Sequence, residues 1–168
     1  KMVEHRVALK TANLSYTESA DINALIESAL DRYRQALQDK HIALTLRLMD
    51  DPPAMAADAE NLTLALANMI ENAIEAMEGE RRELTVITST GDGCLEVVIA
   101  DTGKGISRDK LKNIYDPFFT SKTYGPGLGL TFALKTIHSH NGRITVESRE
   151  NEGTSFTIRL PVKACRTE

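Results

Sequence analysis

Cysteine is scarce in this chain of 168 residues: Cys94 and Cys165 are the only two, far apart and without metal-type spacing. Neither a disulfide framework nor a zinc site is expected from that usage, and a reducing compartment, the cytoplasm, fits it best. Long apolar runs are missing too. Nothing approaches the ~20 residues of a membrane-spanning helix, and residues 1–10 hold no signal-peptide block. No membrane contact is expected of this piece, which leaves any inner-membrane anchor to another part of a parent protein. Without a secretory route, the sequons at Asn13 and Asn61 carry no weight. An excess of charge is also lacking: 20 basic against 24 acidic residues give a net charge of -4, so a nucleic-acid partner is disfavoured. Repeats and low-complexity segments are absent. What remains, 26% charged and 42% hydrophobic residues, suits one soluble globular domain with a real core.

The first twenty residues have weak apolar periodicity and several Ser and Thr, and read as the frayed end of a helix plus a linker, a truncation scar. From Asp21, apolar residues recur at steps of three and four, which predicts one helix to about Lys40. Ile42, Leu44, Leu46 and Leu48 alternate as a strand with one buried face until Asp50-Asp51-Pro52-Pro53. Residues 59–78 form the next helix, with Gly79 expected as its left-handed cap. Two strands, 84–89 and 95–100, flank the Gly91-Asp92-Gly93 hairpin turn. Breakers crowd residues 101–130, so a functional loop is expected there, with a short helix near 107–114 at most. A helix over 128–140 should stop at Gly142, and strands 144–148 and 155–160 close the chain around a turn at 151–153. This order predicts an α+β fold: a two-layer α/β sandwich, with a mixed, mostly antiparallel sheet against helices.

On the helix of residues 59–78, Leu62, Leu66, Met69, Ile70, Ala73, Ile74 and Met77 share one apolar arc, and Asn68, Glu71, Asn72 and Glu75 the other. Asn68 and Asn72, four apart, project side by side and suit oxygen ligation of magnesium with phosphate, although alone they read more readily as a solvated polar face. Asp101-Thr102-Gly103-Lys104-Gly105-Ile106 follows a hydrophobic strand, so a carboxylate there can emerge at a sheet end and accept an amino proton from a base, or simply cap a turn. Gly125-Pro126-Gly127-Leu128-Gly129-Leu130 opens a helix and offers backbone N–H groups to phosphate. Its spacing fits neither a Walker loop nor a dinucleotide fingerprint.

Four segments in fixed order then carry a resemblance: Asn68-Met69-Ile70-Glu71-Asn72-Ala73, residues 101–106, Asp116-Pro117-Phe118-Phe119-Thr120-Ser121-Lys122, and residues 125–130. They resemble the asparagine, first glycine, phenylalanine and second glycine boxes of sensor histidine kinases with short lids of the nitrogen-regulation kind. Gly153-Thr154-Ser155-Phe156 resembles the last small box, and the likeness covers residues 21–162. It implies a Bergerat sandwich that holds ATP and magnesium under a mobile lid, here about 114–127. By similarity, Asn72 ligates magnesium, Asn68 supports the phosphate and metal side, Asp101 bonds the adenine amino group, and Gly103, Gly105 and Ile106 shape the adenine pocket. Thr154 assists Asp101 through water. Gly125, Gly127, Leu128, Gly129 and Leu130 approach the phosphates, Phe118 and Phe119 anchor the lid, and Lys122 reaches phosphate.

In related ATPases such as DNA gyrase, a Glu one turn before the metal-binding Asn activates water; Asn68 stands there in this chain, so ATP should be held for transfer and hydrolysed poorly. Glu71 reads as an exposed helix residue. None of His5, His41, His138 or His140 has the acid and Pro context of a phosphoacceptor. The resemblance therefore implies transfer to a histidine on a dimerisation domain, with onward relay to the receiver domain of a response regulator. Residues 1–20 read as the remnant of a dimerisation helix, residues 21–168 as the catalytic domain, and the chain as a monomer. His138 and His140 are expected to favour the helix dipole as cations. An anti-sigma-factor-type Ser/Thr kinase, or a related ATPase or regulatory nucleotide-binding module, is the competing reading.

Overall fold

The computed structural model describes residues 19–112 and 128–162. In chain order the elements are β1 (Ser19–Ala20), α1 (Ile22–Asp31), α2 (Arg34–Asp39), β2 (Ala43–Arg47), β3 (Met55–Ala56), α3 (Ala59–Ala76), β4 (Glu83–Gly91), β5 (Cys94–Asp101), α4 (Arg108–Leu111), α5 (Leu128–Ser139), β6 (Arg143–Arg149) and β7 (Gly153–Pro161). Five strands form one sheet in the order β2-β4-β5-β7-β6, in which β2 and β4 run parallel and every other neighbour is antiparallel. β1 and β3 make a separate antiparallel pair, which ties Ser19 and Ala20 to the folded unit.

Alternation along each strand decides the sheet's buried face. Leu84, Val86, Leu95, Val97, Ile99, Phe156, Ile158 and Leu160 turn inward, and α1, α3 and α5 supply the opposing layer with Ile22, Ile26, Leu30, Leu62, Leu66, Ile70, Ala133 and Ile137. Every member of the apolar arc read on α3 is buried. At ~25 cal/mol per Å2 of apolar surface, this aliphatic layer is the main source of stability. The two-layer, mostly antiparallel sandwich is the architecture expected.

Several local expectations need correction. The helix from Asp21 to Lys40 is broken at Tyr33, whose φ of -119° and ψ of 10° are not helical. Gly79 does not take a left-handed cap: α3 stops at Ala76 with an extended Met77. The Lys40 ammonium donates to the Ile74 carbonyl at 2.7 Å instead, and the Arg82 guanidinium donates to the Gly79, Glu78 and Lys40 carbonyls. Cations thus satisfy an end where glycine was expected. At the end of α5 the left-handed residue is Asn141 (φ 61°), not Gly142, and the Gly142 N–H donates back to the Ile137 carbonyl. Glycine is needed at 142 for proximity, since a Cβ there would stand 2.6 Å from the Arg159 carbonyl oxygen. Cys94 is disulfide-bonded, against the expectation of no disulfide, and the argument for a reducing compartment falls with it. The hairpin turn is as read: Asp92 and Gly93 both have positive φ, as a tight turn between twisted strands requires.

His140 departs from its expected role as a dipole cation. The buried ring lies 2.7 Å from the Thr136 carbonyl through Nδ1, and its Nε2 accepts the Asp58 N–H at 3.0 Å. A carbonyl only accepts, so Nδ1 carries the proton and the imidazole is neutral. This bond pins the end of α5 to the start of α3. Substituting His140→Leu should cost about 1 kcal/mol, because the half-buried Asp58 N–H is left without its acceptor. His140→Gln, which keeps an acceptor oxygen, should recover part of that in urea denaturation.

Candidate functional site

The loop after β5 owes its path to small residues. Gly103 lies against the last turn of α3, where a Cβ would come within 2.5 Å of the Ala76 carbonyl oxygen. The Lys104 N–H donates to that carbonyl at 2.9 Å, and the Lys104 carbonyl accepts the Asn151 N–H from the β6–β7 turn at 2.6 Å. One peptide segment is thereby held between helix layer and hairpin. Gly105 has φ +70° and presses on the Arg149 carbonyl; Gly153, at φ +128°, presses on that of Asp101. Neither position admits a side chain without displacing backbone.

Asp101 ends β5 opposite Thr154 of β7 and is 8% exposed. Its carboxylate accepts the Gly103 N–H at 2.8 Å and the Thr154 N–H. Burial dominates these bonds and pushes the carboxyl up from its ordinary 3.8 to about 6. A cavity of about 430 Å3 opens beside it, lined among others by Asp101, Thr154, Ser148, Val146 and Leu111. Ile106 is buried at the same place, its N–H donating to Ser148 Oγ at 2.8 Å. Sequence reasoning did not single out Ser148, because a hydroxyl on a closing strand carries no signal until strand register sets it beside Thr154.

The second part of the site is on the helices. Asn72 belongs to the polar arc of α3 yet is only 7% exposed, while Asn68 is half-buried and Glu71 exposed. Among the described residues no group hydrogen-bonds the Asn72 side chain. A buried amide without a partner costs about 1–3 kcal/mol, so this one is built to be completed by something else. Its carbonyl oxygen is the kind of hard donor that magnesium takes. The residues present therefore fit the ion, although no cluster of three or more His, Cys, Asp or Glu that could hold a metal exists among the described residues.

Helix register relates the glycine-rich helix start to Asn72. α3 and α5 pack side by side, with the end of α5 fixed at Asp58. At 1.5 Å per residue, the start of α5 lies ~18 Å back, level with about residue 70 of α3. Leu128 and Gly129 thus open α5 at about the axial level of the two asparagines, and Leu130 is buried. The N-terminal end of the α5 dipole favours an anion at that point. Phe118, Phe119, Lys122, Gly125 and Gly127 lie outside the described residues.

Comparison with known proteins decides what such a strand-end acid and helix asparagine belong to. Residues 57–164 match the family described as histidine kinase-, DNA gyrase B-, and HSP90-like ATPase. The chain belongs to this family. ATP binding comes with that membership. Among its relatives, the sensor histidine kinase ZraS of Escherichia coli K12 is 35% identical over 151 residues, covering 90% of this chain and 32% of that protein. Sporulation kinase E of Bacillus subtilis is 31% identical over 162 residues, covering 96% of the chain and 22% of that protein. The chain thus spans about a third of the relatives' length or less. Among solved structures, the catalytic domain of histidine kinase ThkA superposes with a TM-score of 0.77 at 28% identity, covering 86% of this chain and 97% of that one. The mycobacterial sensor histidine kinase MprB gives 0.77 at 27%, covering 88% and 99%.

Two stability consequences follow from the site's geometry. Gly105→Ala should destabilise the domain by several kcal/mol, on the order of 2 or more, since it combines a positive φ with a backbone collision. Asp101 acts through pH. The folded protein keeps this proton up to about pH 6 while the unfolded chain releases it near 3.8, so stability falls as pH rises through that window. Ligand-free Asp101→Asn should therefore be more stable than wild type above pH 6, by on the order of 1–3 kcal/mol, with the gain vanishing near pH 4. Thermal melts across that pH range measure it.

Proposed function

We propose that this chain is the ATP- and magnesium-binding catalytic domain of a two-component sensor histidine kinase, with residues 21–168 as that domain together with Ser19 and Ala20, which β1 ties to it although they read in sequence with residues 1–20 as the remnant of a dimerisation helix. It transfers the γ-phosphoryl group to a histidine on a dimerisation domain, for relay to the receiver domain of a response regulator. The observation that carries this reading is the pairing of a buried strand-end carboxylate, Asp101, with a buried amide, Asn72, that has no hydrogen-bond partner among the described residues, across a close loop-to-helix contact at Ala76 and Gly103. The sensor kinases among its relatives support the same reaction.

Each residue has a task in that chemistry. Asp101 accepts the adenine amino proton, with Thr154 beside it and Gly103, Gly105 and Ile106 shaping the pocket. Asn72 holds magnesium, and Asn68 supports the phosphates. Magnesium, when bound, neutralises charge on the phosphates. The start of α5 from Leu128 to Leu130 gives its N–H groups to phosphate oxygens; Gly125, Gly127 and Lys122 complete that end, and Phe118 and Phe119 anchor the lid. An Asn at position 68 cannot abstract a proton from water, so the γ-phosphoryl is kept for the histidine acceptor. ATP as phosphodonor places the domain in the cytoplasm. No helix among the described residues is long and apolar enough to cross a membrane. The chain is a monomer, since dimerisation belongs to the separate helices.

Calorimetric titration of an ATP analogue with and without magnesium tests this. Wild type should bind at about micromolar Kd, Asp101→Asn should lose at least roughly tenfold, about 1.4 kcal/mol, and Asn72→Asp should change the magnesium dependence specifically. Affinity should also drop as pH falls below about 6, where the Asp101 carboxylate takes up its proton, and this drop should disappear in Asp101→Asn. A wild type that binds no nucleotide would end the reading.

A further inference from the structure

Ser148 of β6 is the most heavily used hydroxyl near the cavity. Its Oγ receives the Ile106 N–H at 2.8 Å, stands 2.9 Å from the Gly153 carbonyl oxygen, and lies 2.8 Å from Thr154 Oγ1. A serine hydroxyl has one proton and two lone pairs, which is enough for these three contacts in one arrangement only. The Gly153 carbonyl has no proton, so that of Ser148 must point at it. One lone pair takes the Ile106 N–H, and the other is left for Thr154. The Thr154 hydroxyl is therefore the donor in their shared bond. In the reverse arrangement, Ser148 Oγ and the Gly153 oxygen would face each other at 2.9 Å with no proton between them.

The consequence falls on the cavity wall. Thr154 is 3% exposed and lines the cavity with Asp101 and Ser148. With its single proton committed to Ser148, its oxygen has only lone pairs to offer a ligand. An ionised Asp101 also offers only lone pairs. We propose that Ser148 is a specificity-determining positioning residue: by holding the Thr154 proton, it makes this wall purely hydrogen-bond accepting, so that a 6-aminopurine is selected over a 6-oxopurine. The inference rests on the adenine reading above and adds to it the residue that sets the polarity of Thr154.

A merely structural serine would weaken all nucleotides alike, whereas a polarity-setting serine changes the ratio between them. The test is titration of magnesium-ATP and magnesium-ITP, which differ in the purine ring at the 6-amino and 6-oxo edge, into wild type, Ser148→Ala, Ser148→Thr and Thr154→Val. Wild type should prefer ATP by at least about tenfold, since a polar mismatch at a buried site is heavily penalised. In Ser148→Ala the Thr154 hydroxyl is free to turn its proton to a 6-oxo group, and the preference should shrink by about three- to tenfold. Ser148→Thr, which keeps the hydroxyl, should retain it. Thr154→Val removes the oriented oxygen and should shrink the preference even where Ser148→Ala fails to fold. An unchanged ATP to ITP ratio in Thr154→Val, or in a folded Ser148→Ala, overturns the proposal while leaving the adenine site standing. Equal affinity of wild type for both nucleotides instead removes the adenine reading and this inference with it.

Discussion

The loop that leaves β5 can exist only because backbone touches backbone on both of its sides. Lys104 gives its N–H to the last turn of α3 and its carbonyl to the β6–β7 turn, and the glycines at 103, 105 and 153 remove the side chains that would hold those segments apart. That squeeze turns the end of a hydrophobic strand into a site. It places Asp101 where water is largely excluded, and it fixes the strand end relative to α3, whose Asn72 lies one turn before the contact at Ala76. Widening the gap by one methyl would move the carboxylate and the helix independently of one another.

The helix layer has its own fixed point. The neutral His140 ring ties the end of α5 to the start of α3, and the rise of each helix then determines what the start of α5 faces. The aliphatic core between them supplies cohesion, yet cohesion does not set axial register, because apolar ridges slide more readily than a hydrogen bond stretches. At the site itself, stability runs the other way: a carboxylate is buried against its ionisation, and an amide is buried without a partner among the described residues. Such groups persist where a ligand completes them and where the surrounding packing is strong enough to hold them unpaired.

Much of this was legible in the sequence. Alternating apolar residues marked the inward face of β2, β4, β5 and β7, the turn at Gly91-Asp92-Gly93 fixed one hairpin, and the apolar arc of α3 was read without error. Two of the misreadings, at the end of α3 and at His140, concerned positions satisfied by a residue distant in the chain. Lys40 and Arg82 finish α3 in place of Gly79, and Asn141 takes the conformation that glycine favours. His140 was assigned a charge from its position on a helix, although a partner 82 residues away uses its lone pair. Asp101, Asn72 and Thr154 were recognisable as motif residues, whereas Ser148 emerges only from the pairing of β6 with β7.

In the proposed reading, base and phosphate ends of the site rest on different layers, and one chain would grip a nucleotide without consuming it. The acceptor wall of Asp101 and Thr154 belongs to the sheet, where paired strands allow little adjustment. Asn68, Asn72 and the start of α5 belong to the helices, which meet the loop leaving that wall at Ala76, Gly103 and Lys104. Asn68 cannot abstract a proton, so in that reading the side chain at residue 68 does not drive attack by water. Under that proposal, reactivity depends on what is brought to the phosphates, and the same architecture would serve transfer where a Glu in place of Asn68 would turn it toward hydrolysis.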